Sequence, residues 1–194
     1  MTTYSIKTFD DLTGVDVYHI LKARSQVFVV EQQCPYQDMD ELDFDCLHLV
    51  AHQNDTLVGY CRIIPPKVNT LYTHDDIAKA AIGRVLVLPQ YRGAAIAQQI
   101  MHHAIKHCRK KYGKKPIVIA AQTYLMDFYT SLGFEAVGER YLEDNIEHIV
   151  MILHLKKPKP PKVKGETDKS TMILQALLLI MSVLFLAGVV YLIV

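Results

Sequence analysis

Between Leu88 and Ile96 the chain reads Pro89-Gln90-Tyr91-Arg92-Gly93-Ala94-Ala95, a string of small residues beside one guanidinium whose natural chemistry is anion binding. Upstream, Val85-Leu86-Val87-Leu88 is a continuous apolar run, as in a strand covered on both faces, and Pro89 lacks the N–H to continue a ladder. Downstream, Ile96, Ala97, Ile100, Met101, Ala104, Ile105 and Cys108 recur at helical spacing, with Gln98, Gln99, His102, His103 and Lys106 between them. Glycine and alanine at a helix start leave backbone donors bare, where the unpaired N–H groups and the helix dipole both favour negative charge. The stretch is a candidate pyrophosphate cradle flanked by Gln90 and Arg92; an ordinary strand–turn–helix junction packed by small residues would read the same way.

Other residues could handle protons or cations. The acidic run Asp38, Asp40, Glu41, Asp43 and Asp45 follows Cys34-Pro35-Tyr36; Asp40 and Asp43 can hold a cationic group, or simply belong to a solvated loop. Arg24 can pair with one of these carboxylates and shape a pocket, or be an exposed helix residue. His48 titrates in the range useful for a base, although a hydrogen-bonded strand-end histidine is the blander reading. Glu31 sits where a helix meets the acidic loop and is the other candidate base. Cys34 has no neighbouring pattern of a nucleophile, and His103 with His107 is an i, i+4 pair lacking a third ligand, so no metal is expected.

These residues need a scaffold. Ser5 to Phe9 alternates as a short strand, and a helical stripe runs from about Val15 to Glu31, weakened at its end by Val27, Val29 and Val30. Residues 32–45 read as a loop with room for a helical turn. His48 to Gln53 and Thr56 to Ile64 flank Asn54-Asp55, a strong hairpin signal. Ala80 to Leu88 is the strand before the cradle; Gly113 and Pro116 end the long helix, and Ile117 to Ala121 is a buried strand. A short helix over Leu125 to Leu132 stops at Gly133, and Phe134 to Val137 and His148 to Leu155 are the last strands. The order describes an α+β domain around a mixed, mostly antiparallel sheet flanked by helices.

Composition narrows the class. The formal charge is +1, yet residues 1–155 carry 15 basic and 18 acidic side chains, a net −3, which excludes a general nucleic-acid binder. Four cysteines without Cys-x-x-Cys spacing, and a polar start without a signal sequence, suit a reducing compartment.

The C-terminal residues differ in kind. Residues 172–194 hold no charge and are long enough, at roughly 1.5 Å per residue, to cross a hydrocarbon core of about 30 Å. A single transmembrane helix is expected there, tail-anchoring the chain. Residues 156–171 form a basic Pro/Lys linker that cannot be helical, and its lysines keep the N-terminal domain on the cytoplasmic side. Three parts follow: a domain over 1–155, the linker over 156–171 and the anchor over 172–194.

Three patches together resemble the GCN5-related N-acetyltransferase (GNAT) superfamily. Gln90, Gly93 and Ala95 match its motif A, Leu57-Val58-Gly59-Tyr60-Cys61-Arg62 its middle strand, and Phe128-Tyr129-Thr130-Ser131-Leu132-Gly133-Phe134 its motif B. Arg24 to Tyr36, with Asp40, Asp43 and His48-Leu49, resembles the ElaA branch. The resemblance covers about Thr3 to Leu155 and implies a GNAT fold with acetyl-CoA as co-substrate. It assigns acetyl and pantetheine contacts to the backbone of Val85, Leu86 and Val87, and pyrophosphate contacts to Gln90, Arg92, Gly93, Ala94, Ala95, Ile96 and Ala97. It makes Tyr129 the acid beside the thioester sulfur; from the residues themselves Glu31 is the first candidate base, with His48 or solvent as alternatives, and Arg24, Asp40, Asp43 and His48 fall on the acceptor side. The expected activity is N-acetyl transfer to a primary amine, on a small molecule or peptide, by direct attack in a ternary complex. A non-catalytic acyl-CoA sensor or membrane adaptor is the alternative, and an oligomer is compatible with either.

Overall fold

A computed structural model of the chain describes residues 1–71 and 78–155. The linker and the apolar segment expected over residues 156–194 lie outside the described residues; among those described, no helix is long and apolar enough to cross a membrane.

Seven strands form one sheet: β1 (Thr2–Thr8), β2 (Leu47–Gln53), β3 (Thr56–Ile64), β4 (Ala80–Val87), β5 (Ile117–Gln122), β6 (Glu135–Glu143) and β7 (Ile146–Leu153), in the spatial order β1-β2-β3-β4-β5-β7-β6. All neighbours are antiparallel except β4 and β5. That parallel pair is joined only at Ala80 with Ile117 and Ala81 with Val118, after which the strands diverge. A sheet normally tolerates no such gap, because each open backbone N–H and C=O loses a partner. The gap is the feature around which the site is built.

Side-chain alternation sends the two faces to different helices. On one face, Leu49, Ala51, Cys61, Ile63, Ile119, Ala121 and Met151 pack on α2 (Ile96–Tyr112), which buries Ile96, Ile100, Met101, Ala104, Ile105 and Cys108. This is the stripe read from the sequence. On the other face, Val50, Tyr60 and Leu86 meet Ile20, Ala23 and Val27, from α1 (Gly14–Arg24) and its continuation. Helix α2 comes close enough to β3 that a Cβ on Gly59 would lie 2.7 Å from Ile100 Cδ1 and 3.1 Å from the Leu86 carbonyl oxygen. Glycine there is a packing requirement.

Helix α1 begins with a reciprocal cap: the Asp16 N–H donates to Thr13 Oγ1 at 3.1 Å and the Thr13 N–H to Asp16 Oδ2 at 2.9 Å. The helix does not continue regularly to Glu31. From Ser25 to Glu31 it widens into a π-helix, where Val27, Val29 and Val30 crowd a normal turn and the looser winding relieves them. Residues Leu42–Asp45 supply the helical turn for which the expected loop left room, as one 3-10 turn.

The Asn54-Asp55 hairpin is present with both residues at positive φ, 45° and 62°, the geometry that matches strand twist. A second such turn, Asp144-Asn145 at 51° and 62°, joins β6 to β7. It carries β6 well past the Val137 read from the sequence and moves the start of β7 from His148 back to Ile146. Gly138, at φ 76°, and a register shift between Val137 and Tyr141 interrupt the alternation of β6 and hide it.

Candidate active site

Strand β4 carries a bulge at the point where it leaves β5. Tyr60 pairs with Leu86 and Arg62 with Gly83, so β4 has one residue more than β3 across that interval, and Arg84 takes φ 51°. Beyond the bulge the Leu88 N–H donates to the Val58 carbonyl at 3.0 Å. By antiparallel alternation, Val87 then points its N–H and C=O away from β3 and into the gap. Its carbonyl accepts from Arg92 Nε at 3.0 Å.

The loop after β4 makes one 3-10 turn at Pro89–Tyr91, then opens α2 through Gly93 at φ 85° and Ala95 at φ 55°. Ala95 is the N-cap of α2 and, having no polar side chain, leaves the first-turn amides without a side-chain acceptor. A Cβ on Gly93 would meet nothing within 4 Å, so space lies open beside the loop. Uncapped amides, open space and a splayed strand fit a diphosphate followed by an extended, amide-bearing arm.

One cavity, floored by Gly93, Ala95 and Ala97, adjoins a cleft bounded by Val85, Val87, Arg92, Phe128 and Tyr129. A further cavity opens on the side of the π-helix, between Cys34, Tyr36 and Arg84 and the β6–β7 end with Asp144 and His148. Val85, Gln122 and Tyr129 line both the cleft and this second cavity. The two spaces therefore meet at Tyr129, where a group could pass from one side to the other.

Tyr129 belongs to α3 (Met126–Ser131) and is buried against the rings of Phe128 and Phe134. Burial pushes its phenol pKa up, which keeps the proton in place at neutral pH. Its hydroxyl has no hydrogen-bond partner among the described residues and is not sealed from the cavities. Gln32, at the end of the π-helix, and Gln122, at the end of β5, exchange amide hydrogen bonds at 3.2 and 3.3 Å across the junction. Tyr124 donates its hydroxyl to the same Gln122 carbonyl.

Of the residues singled out in the sequence, Val85, Leu86, Val87, Arg92, Gly93, Ala95, Ile96 and Ala97 line the first cavity and the cleft beside it. Gln90 and Ala94 are exposed and stand outside that lining. Glu31 reaches the cleft, but its carboxylate is gripped by Arg92 at 2.7 and 2.8 Å. That hydrogen bonding holds its pKa below the usual carboxylate range and makes it a weak base.

The acceptor-side expectations meet a different arrangement. Arg24 is fully buried, with Nε on Asp38 at 2.7 Å and Nη1 on both Asp43 oxygens at 2.8 Å. Arg62 forks onto Asp40 at 2.6 and 2.7 Å and reaches Asp43 at 3.1 Å, while Arg84 Nε holds Asp38 at 2.7 Å. Three arginines thus neutralise three aspartates, so Asp40 and Asp43 have no charge to spare for a cationic acceptor. His48 is buried with both ring nitrogens engaged: Nε2 to the Asp43 carbonyl at 2.9 Å and Nδ1 to the Tyr60 hydroxyl at 2.8 Å. Desolvation holds its pKa below the ordinary value. Arg24, Asp43 and His48 instead border an apolar pocket beside Phe9 and Phe44. The cluster locks the acidic loop to α1 and the sheet, and thereby fixes the wall of the cavity beside Tyr36 and Arg84.

The sequence reading missed Arg84, Gln122, Asp144 and His148. Arg84 lies inside an apolar strand, and only the bulge turns it toward the rings of Phe28 and Tyr36, at 6.0 and 5.7 Å. Gln122 closes β5, Asp144 lies in the unforeseen turn between β6 and β7, and His148 is the third residue of β7, brought opposite Gln122 only by the pairing of those two strands.

The family model of the acetyltransferase (GNAT) domain matches residues 10–155. Protein ElaA of Escherichia coli K12 is 41% identical over 143 residues, covering 73% of this chain and 89% of that protein. The crystal structure of an acyl-CoA N-acyltransferase from Pseudomonas aeruginosa superposes with a TM-score of 0.72 at 35% identity, covering 79% of this chain and 99% of that one. The crystal structure of E. coli ElaA gives 0.69 at 36% identity, over 78% and 99% of the two chains. An open cradle, a splayed β4 and a phenol at the meeting of two cavities thus occur in a chain that belongs to the GNAT acetyltransferase family, in its ElaA-like branch, and is an acyltransferase.

Proposed function

We propose that this enzyme transfers the acetyl group of acetyl-CoA to a primary amine by direct attack within a ternary complex. The observation that carries the reading is the continuity of the donor cleft and the second cavity at Tyr129 and Val85. The bare amides of the α2 start would hold the pyrophosphate, with Gly93 and Ala95 giving the backbone its close approach. The gap-facing amide groups of β4 would pair with the pantetheine amides and polarise the thioester carbonyl. The amine nitrogen bonds to the acetyl carbon, the C–S bond breaks, and Tyr129 supplies the proton that the departing thiolate takes.

Calorimetry with acetyl-CoA followed by thiol release across an amine panel tests this. Tight binding with release for at least one amine is expected; binding without release for any amine would favour a non-catalytic acyl-CoA sensor.

We also propose that residues 1–155 are the catalytic domain, that 156–171 tether it, and that the charge-free segment 172–194 holds it at the cytoplasmic face of a membrane. Support comes from the length of the apolar run and the lysines before it. Full-length chain should sediment with membranes through alkaline washing, whereas a chain ending at Leu155 should not; equal behaviour would remove the anchor.

A further inference from the structure

An amine arrives as an ammonium ion and must lose a proton before it can attack, yet both bases suggested by the sequence are committed elsewhere. Glu31 is bound to Arg92, and His48 uses both ring nitrogens within the buried cluster. His148 is placed differently. It sits half-buried on β7, opposite Gln122 of β5 and Tyr141 of β6, and lines the same cavity as Tyr129.

Its Nδ1 lies 2.8 Å from the Ile146 carbonyl oxygen. A carbonyl can only accept, so Nδ1 carries the hydrogen and the lone pair of the neutral ring is on Nε2. Among the described residues Nε2 has no hydrogen-bond partner. The ring stacks on Tyr141 with centroids 5.9 Å apart and planes 27° from parallel, which orients it. The left-handed Asp144-Asn145 turn brings Glu143 and Asp144 to the cavity rim, and the Cys34 thiol donates to the Asp144 carbonyl at 3.4 Å, joining that rim to the loop before Tyr36. Charged and titratable groups around the space are Arg84 from β4, Cys34 and Tyr36 from the loop, Tyr129 from α3, and Tyr141, Glu143 and Asp144 from β6 and its turn.

We propose that His148 is the general base of this enzyme, and that Nε2 takes the proton of a primary alkylammonium ion held between Tyr129 and the β6–β7 turn. The inference rests on the transferase reading above. One ammonium N–H bond breaks with its electron pair left on nitrogen, and the proton goes to Nε2. The nitrogen bonds to the acyl carbon, the C–S bond breaks and the thiolate takes the Tyr129 proton. The second nitrogen proton, lost once the amide forms, restores Tyr129, and the proton on His148 leaves to solvent. A base is needed because alkylammonium groups have pKa values near 10; negative charge at Glu143 and Asp144 draws the cation in.

The test uses the full chain and its His148→Gln variant, with acetyl-CoA and an alkylamine that the wild type acetylates in the panel. The variant should bind acetyl-CoA as the wild type does, lose about 100- to 10,000-fold in kcat/KM near neutrality, and lose the acidic limb of the pH profile. The deficit should shrink as pH approaches about 10, where the amine deprotonates itself. Nitrogen-15 shifts of the wild-type imidazole should report the Nδ1–H tautomer. A deficit that is absent or independent of pH, or an Nε2–H tautomer, overturns the assignment. Acetyl-CoA binding without thiol release from wild type for any amine removes the transferase reading, and the inference with it.

Discussion

Arg92 and Glu31 grip each other across the mouth of the cleft beside β4, Nη1 to Oε1 at 2.7 Å and Nη2 to Oε2 at 2.8 Å, while Nε of the same guanidinium holds the Val87 carbonyl. The contact joins the end of the π-helix to the loop before α2, on side chains 45% and 40% exposed. An exposed pair of this kind contributes about 0–1 kcal/mol. Its consequence is chemical, since it leaves Glu31 ionised and weakly basic.

Replacing Glu31 by Gln should therefore change stability by less than about 1 kcal/mol. Turnover should stay within about threefold, well short of the roughly 100-fold or greater loss expected for a general base. Steady-state kinetics decide the point, and a hundredfold fall would return Glu31 to the reaction.

Tyr129→Phe removes one oxygen and keeps the ring against Phe128 and Phe134. The expected loss in kcat is about 100- to 10,000-fold, with acetyl-CoA affinity unchanged by calorimetry. Unchanged kcat would take the phenol out of the proton path.

Ala95 stands at φ 55° and ψ 16°, a conformation costing an L-residue about 1–2 kcal/mol and more if β-branched. Ala95→Val should abolish acetyl-CoA binding by strain and by covering the amides, whereas Ala95→Gly should preserve it. Wild-type affinity in the Val variant would mean that the diphosphate binds elsewhere.

Arg24→Met leaves Asp38 and Asp43 buried with one counter-charge fewer, and should cost about 3–5 kcal/mol in urea unfolding. The same cluster gives an acid dependence. Burial pushes the Asp38 carboxyl up, but its hydrogen bond from Arg24 wins and the pKa lies below the ordinary 3.8. The unfolded chain thus takes up that proton first, so the contribution is present above about pH 4 and is lost as pH falls through the folded value. His48 and His107 are held below 6.5 by burial, so there too the unfolded chain protonates first. Tm should decline gently below about pH 6.5 and steeply below about pH 4. A flat Tm between those values would show that the buried histidines contribute nothing.

The strand, loop and helix around Gly93 were legible because local patterns specify them. An apolar run stopped by Pro89, a Gly/Ala loop and a helical stripe from Ile96 are contiguous in sequence, and Tyr129 lies in a compact motif ending at Gly133. Each is set by backbone preferences within one or two turns, so the elements came out in the expected order. Short-range signals also found the Asn54-Asp55 turn, while β6, broken by Gly138 and a register shift, showed no alternation to read.

What the chain by itself determined, then, was the sheet-and-helix order, the Gly/Ala loop that opens α2 and the short helix that carries Tyr129, all products of periodicity and local turn chemistry. Only the tertiary structure decided the partners of the acidic loop, because a charge's role depends on which opposite charge lies nearest after folding. Asp40 and Asp43 look free in sequence and are consumed by Arg62 and Arg24, brought from β3 and α1. His148 looks like any strand residue until the Ile146 carbonyl fixes its tautomer and β4, parting from β5, opens a cavity in front of it.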